Sequence, residues 1–142
     1  MVKKGYVASV DEAFKKYLGK GMSCYVPRKT YSPKESIEMI KNAGGLAILA
    51  HPVYITEDYD KSYSLLKQLK EYGLDGTECL YNCYSEEFSK MCFDICDKLG
   101  LVKSGGSDFH GGNKPDVELG KVSGGYVPYE FLLNMKEQRG LM

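Results

Sequence analysis

Short stretches typical of buried strands alternate with amphipathic helical patterns along this chain, and this alternation restricts the fold more than any other feature. The strand-like stretches are Leu46 to Ala50, Asp75 to Tyr81 and Leu101 to Ser104. Each follows a segment whose apolar residues recur at helical spacing. Strands and helices that alternate in this order form parallel sheets with right-handed crossovers. The sequence therefore predicts an α/β fold, with its first strand buried on both faces.

Capping residues predict where the helices begin and end. Ser9 with Glu12 and Ser32 with Glu35 fit the capping-box pattern, in which a serine and a glutamate three residues later satisfy free backbone amides. Glycine or a change of pattern closes each helix. The predicted helices run from Ser9 to Gly19, from Ser32 to Gly44, from Tyr59 to Gly73, from Ser85 to Gly100 and from Pro128 to Gln138.

Composition excludes some classes of function. Nineteen basic residues balance nineteen acidic ones, so the chain lacks the broad positive field of non-specific nucleic-acid binding, while a small phosphorylated substrate needs only a local site. No apolar run approaches the ~18 residues of a membrane-spanning helix, and the start of the chain lacks a signal-peptide pattern. The five cysteines are an odd number. We therefore expect a reduced cytoplasmic protein with mostly buried thiols.

Both histidines of the chain fall at predicted strand ends. His51 directly follows the first strand, and Asp108 and His110 lie in the loop after the third. Ligands of parallel sheets bind at the carboxyl ends of strands, so these three side chains are expected to meet. Pro52 should hold His51 extended, and an extended 108–110 segment would point both of its side chains to one side. Their nitrogen and oxygen atoms suit Zn, Mn or Fe, among which the sequence does not choose.

Each of these residues also has a simpler interpretation. Asp108 can cap a turn beside a solvated His110, and His51 can be a core histidine bonded to a backbone carbonyl. Taken alone, the Asp-x-His pair is a weak signal. The combination of both histidines with strand ends favours the metal site.

Glycines bracket the Asp-x-His pair, at positions 105, 106, 111 and 112. They permit close backbone approach, so that the N–H groups near Gly106 and Ser107 can receive a phosphate oxygen. A flexible turn explains the same glycines equally well. Lys114, Arg28 and Lys29 are further candidates for a phosphate contact, with a solvated surface role as the alternative.

Glu78 and two cysteine pairs complete the candidates. Glu78 ends the second predicted strand at the same rim, where it can orient a ligand, bind substrate or remain solvated. The spacings Cys79-x3-Cys83 and Cys92-x3-Cys96 invite a zinc or iron–sulfur interpretation. Cys92 and Cys96, however, share an apolar helix face, so core packing is the better explanation.

Three segments in order resemble the PHP (polymerase and histidinol phosphatase) family of phosphoesterases. Residues 44–52, GGLAILAHP, are similar to the family's histidine-bearing strand segment, and residues 73–78, GLDGTE, to its next strand. Residues 105–111, GGSDFHG, resemble the family's last metal motif. Lys114-Pro115, Leu119-Gly120 and the stretch from Glu12 to Gly19 continue the likeness, which covers residues 8–122.

This resemblance implies a fold, a cofactor and an activity. The fold would be a distorted (β/α)7 barrel of parallel strands, of which residues 1–142 form one partial domain. Residues 8–32 would be a preceding helical segment and residues 33–142 the βα units that carry the metal motifs. By motif matching, His51, Asp108 and His110 correspond to ligands of divalent metal ions. The substrate would be a phosphorylated small molecule or a short nucleic-acid end, hydrolysed by a phosphatase or nuclease activity.

One family motif cannot be placed in this sequence. The family opens with His-x-His on its first strand, so this chain resembles only the carboxyl-terminal part of a barrel. A partial barrel exposes strand edges, and we therefore expect self-association or pairing with an amino-terminal segment. Whether the chain is active alone stays open. The alternative to an incomplete enzyme is a non-catalytic truncated module with weak metal or anion binding.

Overall fold

The computed structural model describes residues 1–27 and 29–141. They form two compact units, Met1–Tyr31 and Ser32–Met142. His51, Asp108 and His110 all belong to the second unit. Among the described residues, no helix combines the length and the apolar character that a membrane crossing requires.

The first unit contains one helical segment that begins where the sequence predicts. The Ser9 hydroxyl accepts the N–H of Glu12 at 3.1 Å, and helix α1 follows as Val10–Ala13. The Glu12 carboxylate accepts the N–H of Ala8 at 2.7 Å rather than that of Ser9, so the reciprocal half of the predicted capping box is displaced by one residue. A π-helical turn, Phe14–Leu18, continues the helix to Gly19.

The second unit alternates helices and strands in the predicted order. Its elements are α2 (Pro33–Asn42), β1 (Ile48–Leu49), α3 (Tyr59–Glu71), β2 (Gly76–Tyr81), α4 (Glu86–Leu99), β3 (Val102–Gly106), β4 (Lys121–Val122), β5 (Gly125–Tyr126) and α5 (Tyr129–Gln138). Short 3-10 turns follow β1 at Pro52–Tyr54 and β3 at Gly111–Asn113. Serine caps begin α2 and α4, and the capping box of Ser32 with Glu35 is complete.

The sheet has the order β1-β2-β3, and both pairings are parallel. Gly76 of β2 lies opposite Ile48 on one side and opposite Val102 on the other. The predicted α/β fold with parallel strands is therefore confirmed. Because the strands are parallel, all three carboxyl ends lie at one edge of the sheet, which we call the rim.

The strands differ from the prediction in length and burial. β1 has two residues instead of five, and they are half-buried rather than buried on both faces. The reason is its place at the edge of the sheet, where it pairs with β2 alone among the described strands. β3 extends two residues further than predicted, to Gly106. The antiparallel hairpin of β4 and β5 was not predicted, because strands of two residues carry no recognisable alternation.

The core lies between β2 and the helices α3 and α4. Its fully buried side chains include Leu66, Ile95, Thr77, Cys79, Cys92 and Cys96. The predicted core packing of Cys92 and Cys96 is confirmed. Cys79 joins them, with its sulfur 3.5 Å from that of Cys96, whereas Cys83 is exposed.

Gly76 shows how tightly the three strands pack at the start of β2. A Cβ atom at this position would lie 2.6 Å from Val102 Cγ2 and 2.9 Å from Ile48 Cδ1, and it would press on the Val102 carbonyl oxygen. Neither neighbouring strand can move away without breaking its pairing with β2. Only glycine fits the centre of the sheet here.

We expect Gly76→Ala to lower the free energy of unfolding by about 2–3 kcal/mol, because the added methyl group overpacks both strand contacts. Gly112→Ala is the matched control, since a Cβ there meets no atom within 4 Å. Urea denaturation of both variants measures the difference. Equal stabilities would show that the sheet tolerates a side chain at position 76.

The Ser85 cap should contribute measurably to the stability of α4. Its hydroxyl accepts the N–H of Phe88 at 3.1 Å. Ser85→Ala is expected to cost about 1 kcal/mol in urea denaturation, because one amide at the helix start loses its partner. Ser64→Ala, at an exposed position inside α3, should be neutral or slightly stabilising. A similar loss in both variants would contradict the capping role.

Candidate functional site

The structure places the predicted ligand residues at the rim. His51 follows β1 by two residues, and Asp108 follows β3 by two residues. The central strand β2 ends between them at Tyr81. The predicted position of all three residues just beyond strand ends is thus confirmed, and the side chains of β2 connect the two loops.

Glu78 of β2 holds the backbone of His51. Its Oε2 atom accepts the His51 backbone N–H at 2.9 Å and the Tyr84 hydroxyl at 3.2 Å. Burial and the adjacent Glu78 carboxylate raise the pKa of Tyr84 above its usual value, so the hydroxyl keeps its proton and donates it. Glu78 is only 7% exposed, and its carboxylate is therefore oriented by fixed donors rather than by water.

The imidazole of His51 has an unused nitrogen. Nδ1 lies 3.0 Å from Glu78 Oε2, but this contact lacks the direction of a hydrogen bond, and the buried Nδ1 has no hydrogen-bond partner among residues 1–27 and 29–141. Buried polar atoms are nearly always bonded. Nδ1 is thus enclosed beside the Glu78 carboxylate, and Nε2 of the partly exposed ring is the nitrogen open to a further group.

Tyr81 joins the His51 loop to the Asp108 loop. Its ring packs edge-on against the His51 ring, with 4.8 Å between centroids. Its hydroxyl donates to Asp108 Oδ2 at 3.2 Å. Burial is the main cause that raises the pKa of Tyr81, followed by its hydrogen bond with Tyr54 and the charge of Asp108, so the phenol remains a donor.

Asp108 is also paired with a cation. The Lys114 ammonium contacts Oδ2 of Asp108 and lowers the pKa of that carboxyl. The carboxylate is therefore ionised and ready to bind a positive charge. Lys114, predicted as a phosphate contact, lies at the site through this ion pair.

His110 extends from the same loop into solvent. Its Nδ1 lies 2.7 Å from the backbone oxygen of Asp108 and 3.4 Å from Oδ1, and its side chain is 54% exposed. The contact to the backbone oxygen leaves Nε2 as the outward-facing ring nitrogen. The loop is folded here rather than extended, since Asp108 has φ 55° and His110 has φ −130° and ψ 29°. The condition under which both side chains would point to one side, an extended 108–110 segment, is therefore not met.

His51 also departs from the expected backbone conformation. Its φ of 49° and ψ of 47° are left-handed, although Pro52 was expected to hold it extended. The proline excludes the right-handed helical region but leaves the left-handed one available. The Glu78 carboxylate then selects this conformation, because it binds the His51 N–H.

His51 and Asp108 are the non-glycine residues with positive φ in the part of the chain that the structure describes. Such conformations are uncommon outside glycine and concentrate at functional sites. Both residues are among the three predicted metal ligands, His51, Asp108 and His110. The rest of the structure holds both in place, through Glu78 in one case and through Tyr81 and Lys114 in the other.

An irregularity in β2 explains why two of its side chains reach His51. In a regular strand, Glu78 and Tyr81 would point to opposite faces. The pairing with β3 shifts register between Glu78 and Leu80, so one extra residue is accommodated at Cys79. This bulge interrupts the alternation of side-chain directions along β2, so Glu78 and Tyr81 can both face His51. Bulges often redirect side chains beside active sites.

The predicted phosphate loop is tied down by polar contacts. Ser107 is buried, its hydroxyl accepts the N–H of Gly120 at 3.0 Å, and its backbone oxygen accepts from the Asn82 side chain at 3.0 Å. Gly106 ends β3 beside the Glu78 carboxylate, because a Cβ there would lie 3.5 Å from Glu78 Oε1. Gly106, Ser107 and Lys114 therefore all lie at the rim.

The donor set at the rim fits a divalent cation in its chemistry. It comprises Nε2 of His51, the ionised carboxylate of Asp108 and the outer nitrogen of His110, which are atoms that Zn, Mn and Fe accept. No three His, Cys, Asp or Glu side chains within the described ranges are gathered closely enough to hold an ion together. The expectation that His51, Asp108 and His110 meet closely enough to share one ion is therefore wrong for the described structure, because His110 turns outward from the folded 108–110 loop.

Sequence reasoning missed the two tyrosines of this site. Tyr81 and Tyr84 link Glu78, His51 and Asp108, and the available signal was their place at the end of the central strand. Of the predicted phosphate contacts, Arg28 lies outside the described residues and Lys29 belongs to the first unit. Lys114 belongs to the same unit as Asp108 and contacts its carboxylate.

Comparison with known proteins supports the family resemblance. No family model matches the chain. A 5'-3' exoribonuclease of Haemophilus influenzae is 34% identical over 110 residues, which cover 78% of this chain. A 3',5'-nucleoside bisphosphate phosphatase of Chromobacterium violaceum is 30% identical over 125 residues, which cover 84% of it.

A solved structure from Bifidobacterium adolescentis, assigned as a metal-dependent phosphoesterase, aligns with 96% of this chain at a TM-score of 0.65 and 25% identity. The chain spans 40% and 42% of the two sequence relatives and 47% of that structure. Such partial coverage fits the carboxyl-terminal part of these proteins. With the ordered motifs around His51, Glu78 and Asp108, these likenesses show that the chain corresponds to the carboxyl-terminal part of phosphoesterases of the PHP family.

Proposed function

We propose that this chain contributes to the hydrolysis of nucleotide-type phosphate esters, as part of a PHP phosphoesterase with phosphatase or nuclease activity. The observation that carries the proposal is the left-handed backbone of His51 and Asp108, just beyond the two strands that flank β2, with Tyr81 of β2 linking them. Both residues belong to the motifs that the chain shares with the family. The names of its relatives, an exoribonuclease and a nucleoside bisphosphate phosphatase, support this class of substrate.

In this proposal, His51, Asp108 and His110 hold divalent metal, with Mn, Zn and Fe as the candidates. Bound metal would supply an activated water and would neutralise phosphate charge. The chain's own residues keep the donor atoms ready. Tyr81 and Lys114 hold the Asp108 carboxylate ionised and oriented, and Glu78 holds the His51 loop.

Lys114, Gly106 and Ser107 are the proposed phosphate contacts. The ammonium of Lys114 neutralises Asp108 in this structure, and the same group can pair with a phosphate oxygen when Asp108 binds a cation. The backbone N–H groups of Gly106 and Ser107 are the further donors in this proposal. The buried hydroxyl of Ser107 keeps this backbone in place through Gly120.

We further propose that the three-stranded sheet is part of a distorted (β/α)7 barrel, with residues 8–32 as a preceding helical segment of one partial domain. The edge of β1 that faces away from β2 would then pair with another segment or with a second copy of the chain. Cytoplasmic location remains a prediction from cysteine usage.

A non-catalytic module is the second candidate function. The observation in its favour is that the described part of the chain gathers no three metal-binding side chains into one cluster. Such a module would bind a metal or an anion weakly and would not hydrolyse phosphate esters by itself.

Asp108→Ala should reduce Mn²⁺-dependent hydrolysis of a nucleotide phosphate to background, because the rim loses its ionised ligand. Asp116→Ala is the matched control, since Asp116 is an exposed carboxylate of the same loop. Phosphate release with and without Mn²⁺ measures both variants. Hydrolysis that continues unchanged in Asp108→Ala would remove Asp108 from the proposed ligand set.

A version extended upstream of Met1 to the length of the relatives separates the two candidate functions. We expect Mn²⁺-dependent activity mainly in the longer protein, because its additional residues would complete the coordination set. Light scattering of the 142-residue chain should show self-association, since β1 presents an unpaired edge. A clean monomer would argue against the proposed edge pairing, and inactivity of both versions would favour the non-catalytic module.

A further inference from the structure

We propose that Glu78, held by Tyr84, is a positioning residue that fixes both the backbone and the ring of His51 for metal binding. This inference rests on the proposed function, because it assigns His51 to the metal site. Glu78 acts through His51 and is not itself assigned as a ligand. A residue of β2 would then determine the conformation of the loop that follows β1.

The contacts that carry the proposal converge on one oxygen atom. Glu78 Oε2 accepts the backbone N–H of His51 at 2.9 Å and lies 3.0 Å from Nδ1 of the same residue. A single carboxylate therefore limits the backbone dihedrals and the ring of His51 together.

Tyr84 fixes the carboxylate in turn. Its hydroxyl donates to the same Oε2 atom at 3.2 Å, and its own ring packs between Tyr81 at 5.3 Å and Phe88 at 4.8 Å between centroids. Tyr84 is 3% exposed, so this support is rigid. The aromatic rings of Tyr81, Tyr84 and Phe88 thus support Glu78, and Glu78 in turn fixes the conformation of His51.

The conformation of His51 shows what this support does. A left-handed histidine is unfavourable on its own, and it persists only where the surroundings over-determine it. Two described hydrogen bonds hold this backbone: the His51 N–H donates to Glu78, and the His51 backbone oxygen accepts the N–H of Tyr54 at 3.1 Å. Only the bond to Glu78 comes from another strand. Without the carboxylate, the segment 50–52 should relax to an extended conformation, which is the usual one before proline.

Asp75 provides a matched comparison at the opposite end of the same strand region. It is a buried carboxylate that accepts the backbone N–H of Ala47 at 2.7 Å and pairs with Lys41 at 2.5 Å. Like Glu78, it ties the β2 segment to the β1 segment through a backbone amide. It lies before β2, away from the rim, so its removal should affect stability alone.

The experiment compares Glu78→Ala, Glu78→Gln and Asp75→Ala in the full chain, with two readouts besides activity. The first is Mn²⁺ affinity, from the electron paramagnetic resonance signal of free Mn²⁺. The second is the backbone and ring carbon chemical shifts of His51, which report left-handed geometry without any metal. Urea denaturation gives the stability of each variant.

We expect Glu78→Ala to weaken Mn²⁺ binding by about 10–100-fold, the usual effect of losing a residue that orients a ligand, and to move the His51 shifts away from left-handed values. Glu78→Gln keeps an acceptor oxygen for the His51 N–H and should restore the shifts and most of the affinity. Asp75→Ala should lower stability and leave both readouts unchanged.

Unchanged His51 shifts in Glu78→Ala would overturn the proposal, and so would equal losses of Mn²⁺ affinity in Glu78→Ala and Asp75→Ala. If Glu78→Ala does not fold, Tyr84→Phe decides, because it removes only the hydroxyl that holds the carboxylate. That variant should shift the His51 ring signals and lower the affinity several-fold, and no change in either would overturn the proposal. If the unsubstituted chain binds no Mn²⁺, the version extended upstream takes its place in the same experiment. Absence of Mn²⁺ binding there would contradict the proposed function, while the His51 shifts still test the positioning role.

Discussion

Parallel pairing of β2 with a strand on each side is the constraint on which the rest of the second unit depends. It places the end of β2 between the loops that follow β1 and β3. Residues of β2 and the residue directly after it contact both loops: Glu78 binds His51, Tyr81 binds Asp108, and Asn82 binds the backbone of Ser107. Side chains of the central strand and its end therefore position the loops that follow the two outer strands.

Stability and function draw on the same contacts at the rim. A non-glycine residue in a left-handed conformation costs of order 1–3 kcal/mol, and His51 and Asp108 each carry such a cost. Hydrogen bonds from neighbouring residues of the folded protein offset this conformational cost. The rim is consequently rigid before any ligand arrives, and rigid placement of donor atoms lowers the reorganisation that binding would otherwise require.

The sequence predicts those parts of this fold that local chemistry decides. The serine caps at Ser9, Ser32 and Ser85 mark helix starts, and Gly100 ends α4 in the left-handed conformation that glycine readily adopts. The strand order follows from the alternation of elements. The two histidines could be placed at strand ends for the same reason, since a strand end is a local feature.

Features that depend on distant partners could not be predicted from local pattern. The backbone of His51 is set by Glu78 of another strand, which overrides the local preference for an extended residue before Pro52. The bulge at Cys79 appears only in the pairing with β3, and it determines that Glu78 and Tyr81 share a target. The roles of Tyr81 and Tyr84 follow from that bulge. The family resemblance located the motifs but carried no information about these contacts.

The five cysteines differ in exposure, and this difference makes local opening of the native protein measurable by thiol labelling. Cys24 and Cys83 are exposed and would be alkylated at once, whereas Cys79, Cys92 and Cys96 are enclosed between β2 and α4. Burial raises the pKa of Cys92 to about 12, which suppresses its reactive thiolate until the helix lifts from the sheet. The delay between fast and slow labelling would then report how often this layer separates in the native protein.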